Sequence, residues 1–363
     1  MNIGDSTSIQ IGRVRVGQPG YVYVIAEAGV NHDGRLDRAI RLIAAAAEVG
    51  ADAVKFQCFS ADRLVTRTSP LAAYQQRTGR PRTQYEMLQR LELDREAWYA
   101  LAREAKRCSI DFLATPFSVQ DLEFLVSLGV TAIKLASTDI VHGPLLDVAA
   151  RAGRPIIAST GAATMEEVAR GVERLRAGGA KALALLHCIS SYPTSERSVN
   201  LAAICTLART FGCVSGFSDH TQSSEMGRWA ALAGARVIEK HLTLDRAGEG
   251  PDHGFSLEPA TMKMYVRGVR QACQLLGDGH LRVSAEQEEV RRMARSSLVA
   301  ERDIPAGWVL TPGMLAVKRP GNGISPMEIE RVIGCRARWL IPADTPITWN
   351  ALGPPGSQSE LPE

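Results

Sequence analysis

Apolar runs of six to nine residues recur along the chain, each ended by a glycine or a polar turn and followed by a longer stretch with helical spacing. The first run, 21–29 (YVYVIAEAG), leads into a helix-like segment over 35–49 that stops at Gly50. The same reading predicts strands at 51–57, 110–115, 132–137, 155–160, 182–189, 214–219 and 237–243. Helices are predicted at 94–108, 118–128, 164–177, 199–211 and 223–233, with a closing helix at 259–276. Eight strands alternating with helices over roughly 250 residues predict a (β/α)8 TIM barrel. An open doubly wound sheet is the competing arrangement, but no GxGxxG follows the first strand.

Polar residues gather at the C-terminal end of nearly every predicted strand: Glu27, Asn31 and His32; Lys55 and Gln57; Thr115; Lys134 and Ser137; Ser159 and Thr160; Ser190 and Tyr192; Ser218, Asp219 and His220; Glu239 and His241. In a barrel these ends converge on one mouth, where catalysis takes place. The densest stretch is 237–254 (VIEKHLTLDRAGEGPDHG). Glu239 and His241 are two apart on a strand, so they share a face while Lys240 points the other way. The Gly-Pro loop that follows is expected to return Asp252 and His253 towards the strand end.

The pattern divides the chain into a catalytic barrel over 1–280, a polar linker over 281–295, a small domain over 296–352 and a tail over 353–363. The small domain reads as short strands and turns rich in glycine and proline, with a brief helix near 327–333. The connection over 58–93 is long enough to be a lid, a binding loop or an exposed surface loop; it contains Tyr74 and Tyr85, to which no role is assigned.

Composition narrows the partners. A hydrophobic content of 45% supports a substantial core. No apolar run approaches the roughly 18–20 residues of a membrane span, and the polar segment 1–10 lacks the apolar centre of a secretion signal, so no membrane partner and a cytoplasmic location are expected. Seven cysteines form no CxxC pair and are odd in number, which favours buried free thiols over disulfides or a zinc finger. A net charge of +3 without a basic block gives no reason to expect nucleic acid. The basic residues are 35 Arg and only 7 Lys, so a lysine at a strand end invites a reason.

Lys55 and Lys134 stand at such ends, with Thr115, Ser137, Ser159 and Ser218 nearby. Two compact ammonium groups and a ring of hydroxyls suit a phosphate or carboxylate, although each lysine would equally serve as partner to a barrel carboxylate. His220 and His241 end neighbouring strands. Together with water and substrate oxygens they suit Mn²⁺, Mg²⁺ or Co²⁺; the alternative is a hydrogen-bonded or acid–base pair. Glu27, Glu239 and Asp252 are carboxylates at the same mouth, suited to orienting a polyhydroxylated substrate, to general-base work or to pairing with the lysines. Asp219 and Asp245 read as turn braces, and His187 as a strand residue held by a hydrogen bond.

These residues lie in motifs that resemble the bacterial sialic acid synthases: IAEAGVNHDG, ADAVKFQ, FLATPFS, IKLAS, IIASTG, LLHCISSYPT, GFSDHT, IEKHLTLDRAGEGPDH and VKRPGNG, in that order from 25 to 352. The resemblance implies a TIM barrel followed by a small antifreeze-like SAF domain. It also implies condensation of phosphoenolpyruvate with an N-acylated hexosamine, giving a nine-carbon 2-keto acid and phosphate. Lys55, Thr115, Lys134, Ser137, Ser159 and Ser218 would hold phosphoenolpyruvate, and His220 and His241 a divalent metal. Gln57, Ser190, Tyr192, Asp252 and Arg319 would face the sugar, and Glu27, Glu239, Lys55 and Asp252 the chemistry. Arg319 would come from the neighbouring subunit of a swapped homodimer. Where some N-acetylneuraminate enzymes have Thr-Asn after LHC, this chain has Ile189-Ser190, which leaves the acceptor open between ManNAc, a 2,4-diacetamido-trideoxyhexose of the legionaminate or pseudaminate type, and the precursor of another ketoacid sugar of a secondary pathway. A ketoacid synthase with seven- or eight-carbon products, or a silent sugar-binding protein, are the competing readings.

Overall fold

The computed structural model describes residues 8–72, 75 and 81–355; Tyr74 and residues 356–363 lie outside them. A short antiparallel hairpin, β1 (Ile9–Ile11) and β2 (Val14–Val16), comes first. Eight parallel strands follow: β3 (Tyr23–Gly29), β4 (Ala53–Cys58), β5 (Asp111–Pro116), β6 (Ile133–Leu135), β7 (Ile156–Ser159), β8 (Leu183–Cys188), β9 (Val214–Asp219) and β10 (Val237–His241). They close into a barrel in chain order, with β10 pairing back onto β3. The helices between and after them are α1 (Leu36–Glu48), α2 (Ala61–Leu64), α3 (Gln84–Leu91), α4 (Arg95–Arg107), α5 (Val119–Leu128), α6 (Gly143–Arg151), α7 (Met165–Ala177), α8 (Ala202–Phe211), α9 (Met226–Leu232) and α10 (Pro259–Leu276). The predicted barrel is thus the observed one.

Local signals set the helix ends. Asp94 and Ser118 accept from the backbone N–H groups of Ala97 and Asp121 at the starts of α4 and α5, and Thr164 with Glu167 forms a reciprocal capping box on α7. Gly129 ends α5 at φ 89°, a conformation costly for a residue with a Cβ.

Strand alternation then sorts the barrel into two cores. Outward residues such as Val24, Val54, Phe56, Phe112 and Ile238 pack against the helices. The inward set Tyr23, Ile25, Ala53, Leu113, Ile157, Ala184, Leu186, Val214 and Val237 fills the lower barrel. Ile9, Ile11 and Val16 of the hairpin join that inner cluster and close it from the N-terminal side. Each side chain in these layers is removed from water, which supplies roughly 1.5–3 kcal/mol for a large apolar residue.

The chain divides into two compact units after Gly279. In the second, β11 (Ser297–Ala300) pairs with β12 (Leu315–Lys318), and β13 (Cys335–Ala337) with β14 (Leu352–Pro355), around Leu298, Ile304, Leu310, Ile324, Val332 and Ile347. A one-turn helix, α12 (Ile329–Val332), stands where the brief helix was expected. Two expectations need correction. Most of the supposed linker 281–295 is helix α11 (Ala285–Ala294), begun by a capping box between Ser284 and Gln287. Residues 353–355, expected in the tail, belong to β14.

Candidate active site

The inward parity that builds the lower core continues upward and changes chemistry. Above Ile25 stands Glu27, above Ala53 stand Lys55 and Gln57, above Leu113 stands Thr115, above Ile157 stands Ser159, and above Val237 stand Glu239 and His241. Ser218 follows on β9 by the same count, and His220 lies one residue beyond its end. Lys134 enters from β6. They face a cavity of about 420 Å³. Leu64, Val65, Met87, Leu88 and Leu91 line it on one side, so the long 58–93 connection supplies a wall of the site through α2 and α3.

A charge lattice occupies the floor of this cavity. Lys55 Nζ lies 2.7 Å from Glu27 Oε2 and 3.7 Å from Glu239 Oε2, and donates to Thr115 Oγ1 at 2.9 Å. Lys134 Nζ donates to Ser159 Oγ at 2.7 Å and lies 3.8 Å from Glu239 Oε1. Ser218 donates to Glu239 Oε1 at 2.9 Å, and Gln57 Nε2 to Glu27 Oε1 at 3.3 Å. All four charged groups are buried. Burial alone would neutralise both lysines. For Lys55 it is outweighed by Glu239 and Glu27, which leave its pKa raised; for Lys134 burial prevails and the pKa is lowered. Glu239 is pushed up by burial but pulled below its usual range by Lys134 and Lys55, whereas burial keeps Glu27 raised despite Lys55.

Ser137 lies in a 3-10 turn after β6 rather than on the strand, and its Oγ accepts from Gly161 N–H at 3.0 Å. A Cβ at Gly161 would stand 2.3 Å from Ser190 Oγ, 2.9 Å from Cys188 Sγ and 3.0 Å from Ser137 Oγ. Only glycine leaves that corner open.

The histidines face each other across the opposite wall, ring centroids 5.5 Å apart. His220 Nδ1 bonds Ile189 O at 2.9 Å, which assigns the proton to Nδ1 and leaves Nε2 as a lone-pair donor. His241 Nδ1 is buried with no hydrogen-bond partner and lies 3.9 Å from Asp252 Oδ2; burial, reinforced by His220 and Lys55, holds this ring neutral. Burial lowers the pKa of His220, but Cys188, the Ile189 carbonyl and Glu239 outweigh it and leave it raised, so a divalent cation would have to displace a proton from this ring, while His241 is already neutral. No group of three or more His, Cys, Asp or Glu side chains suited to a metal occurs among the described residues, so an ion here would complete its shell with water or substrate. Asp252 is buried at the same wall, its pKa raised to about 7 by burial and by Glu27. Tyr192 stacks on His220 at 4.3 Å and on Phe255 at 5.1 Å.

Several polar residues at the mouth are structural. Asn31 donates to Leu242 O and Ser256 Oγ, Thr160 to Leu186 O, and His187 bonds Val199 O. His253 is buried against Thr243 and Asp33. Asp245 braces its own loop. Arg319 is exposed after β12 in the second unit. Sequence reasoning missed Cys188, which ends the inward series Ala184, Leu186 and lies 3.7 Å from His220 Nδ1, and it missed Gly161 and Phe255.

A closed parallel barrel whose charged groups meet at the C-terminal strand ends is an enzyme architecture. The chain belongs to the NeuB family, which matches residues 42–281, and it carries a SAF domain over 295–353. It is similar to the N,N'-diacetyllegionaminic acid synthase of Legionella pneumophila, 41% identical over 90% of this chain and 93% of that protein. It is also similar to the pseudaminic acid synthase of Helicobacter pylori, 33% identical over 90% of this chain and 96% of the relative. Among solved structures, the N-acetylneuraminic acid synthetase of Leptospira borgpetersenii, in complex with citrate, matches with a TM-score of 0.70 at 34% identity, covering 78% of this chain and 95% of that one. The chain is therefore an enzyme of the sialic acid synthase type, as its motifs suggested. No helix among the described residues is long and apolar enough to cross a membrane.

Proposed function

We propose that the chain condenses phosphoenolpyruvate with a 2,4-diacetamido-trideoxyhexose to give a legionaminate-type nine-carbon 2-keto acid and phosphate. The observation that carries the reading is a single cavity with two lysines and a ring of hydroxyls on one side and two imidazoles on the other. The first half suits the phosphate and carboxylate of phosphoenolpyruvate; the second suits a carbonyl acceptor. The higher identity to the legionaminic acid synthase than to the pseudaminic acid synthase, 41% against 33%, favours the legionaminate-type acceptor over its isomer.

In this reading Lys55 and Lys134, with Thr115, Ser137, Ser159 and Ser218, hold phosphoenolpyruvate. Gln57, Ser190, Tyr192 and Asp252 face the open-chain sugar, and Arg319 of a second copy completes the sugar side in a swapped homodimer. His220 and His241 would hold Mn²⁺, Mg²⁺ or Co²⁺, which supplies polarisation of the sugar aldehyde when bound. C3 of phosphoenolpyruvate then forms a bond to the aldehyde carbon, whose oxygen takes up a proton. Water adds to the cationic C2, and phosphate departs with its bridging oxygen. Glu27 is the better base for that water, because burial keeps its pKa above the usual carboxylate value, whereas Lys134 and Lys55 pull that of Glu239 below it.

Phosphate release from phosphoenolpyruvate, assayed with Mn²⁺ and each of ManNAc and the two diacetamido sugars, tests the acceptor. Turnover is expected to be fastest with the legionaminate precursor; faster turnover with ManNAc would replace it. His220→Ala is expected to reduce phosphate release to background, and undiminished turnover in that variant or in excess chelator would remove the metal from the reading.

A further inference from the structure

Directly behind the two histidines lies a second cluster that faces away from the cavity. β9 and β10 pair in parallel with Ser218 opposite Glu239 and Asp219 opposite Lys240. Alternation turns Ser218, Glu239, His220 and His241 inward, and Asp219 and Lys240 outward into the layer between strands and helices. That layer is built mainly of residues such as Val24, Val54, Phe56 and Ile238. Within it Lys240 is fully buried, its Nζ 3.1 Å from Asp219 Oδ2. Tyr265 of α10 donates to the same oxygen at 2.9 Å, and its ring centroid lies 5.5 Å from the ammonium. Asp219 Oδ1 accepts from Thr221 N at 2.8 Å and Thr221 Oγ1 at 2.7 Å, while Lys240 donates to Thr221 O.

Stability does not account for this arrangement. Apolar residues of similar volume generally serve a core as well as a buried ion pair does, because removing two charges from water offsets their attraction. The cluster has a geometric consequence instead. Asp219 and Thr221 flank His220 in sequence, and Lys240 precedes His241. Asp219 bends the backbone around His220 through its bond to Thr221 N, the local closure that aspartate makes two residues on. Lys240 ties that bend to β10 twice, through the Asp219 carboxylate and the Thr221 carbonyl. The two strands are thereby clipped together at the level where both imidazoles leave the backbone. Metal–nitrogen bonds tolerate only about 0.2 Å of error, so spacing at this level governs affinity.

We propose that the Asp219–Lys240–Tyr265 cluster is a positioning device that sets the separation and aim of His220 and His241, and with them the affinity of the site for a divalent ion. The inference rests on the metal-holding role proposed above. The double variant Asp219→Leu/Lys240→Met leaves no buried charge unpaired, but Thr221 N–H, Thr221 Oγ1 and Tyr265 OH lose their acceptor, so the fold is expected to persist with a lowered Tm. Its Mn²⁺ affinity, read by calorimetry on the full chain without substrate, is expected to fall by roughly 10–100-fold, the range for residues that orient metal ligands. Tyr265→Phe, which deletes one hydrogen bond and keeps the packing, is expected to lose affinity by less than about tenfold; it decides the matter if the double variant fails to fold. Mn²⁺ binding by the unaltered chain, with equal affinity in a folded double variant or, failing that, in Tyr265→Phe, overturns the positioning role alone. If the unaltered chain binds no Mn²⁺, the metal reading falls and takes this one with it.

Discussion

The rim and the floor of this barrel are made by the same inward-facing rows of the same strands, a few residues apart. On the floor the rows read Tyr23, Ile25, Leu113, Ile157 and Val237, fully or almost fully buried and closed by the hairpin. At the rim they read Glu27, Thr115, Ser159 and Glu239, equally buried but charged or hydroxylated. Burial alone therefore does not distinguish a core position from a catalytic one. What separates them is whether a buried polar group spends its bonds on the protein. Thr160 and His187 do. Glu239 Oε2 and His241 Nδ1 lack a directed hydrogen bond, an arrangement that holds stability in reserve for a ligand.

Substitutions at the two levels should part activity from stability. The largest effect is expected at the rim. Lys134→Met removes a charge that the proposed function assigns to holding phosphoenolpyruvate, and kcat/KM for phosphoenolpyruvate should fall by roughly 10²–10³-fold with a small change in Tm. A comparable loss of Tm and activity would show the lysine to be a structural partner of Glu239. On the floor, Leu113→Ala should cost about 2–5 kcal/mol in denaturant unfolding while kcat/KM per folded molecule stays level. Impaired kcat/KM there would mean that floor packing reaches the rim. The smallest effect is expected at the strand starts, where Tyr23 OH donates to Asp111 Oδ2 at 2.7 Å. Burial, with Asp52 adding to it, raises the Asp111 carboxyl above its usual pKa. The folded state then binds this proton more tightly than the unfolded one, so its contribution is present below the unfolded pKa near 4 and is lost as pH rises through the folded value. Asp111→Asn should flatten stability over that window; an unchanged profile from pH 4 to 7 would assign the dependence elsewhere.

Much of this was legible in the sequence because the barrel imposes two simple periods. Apolar runs marked the strands, and counting by two from Ile25 or Val237 reached Glu27, Glu239 and His241. Lys240 was placed on the opposite face by the same count, as observed. What the count could not show was its partner, since Asp219 and Tyr265 come from other elements. Helix α11 escaped because none of its residues is buried; with no apolar stripe, its only local signal was the capping pair Ser284 and Gln287. Cys188 was set aside with the other thiols as core, although its parity with Ala184 and Leu186 put it at the rim. The site wall from α3 was hidden in a long connection, where Thr83 accepting from Glu86 N–H begins the helix.

The inward layers of Tyr23, Ile25, Leu113, Ile157 and Val237, with Ile9, Ile11 and Val16 of the hairpin packed beneath them, give the barrel the form of a cup rather than a pipe. Solvent can reach the lysines and carboxylates of the rim from one side only, and beneath them lies dry hydrocarbon. Whatever covers that open side during turnover therefore acts as a dimmer on every charge in the cup, since displacing the last water strengthens all of them at once.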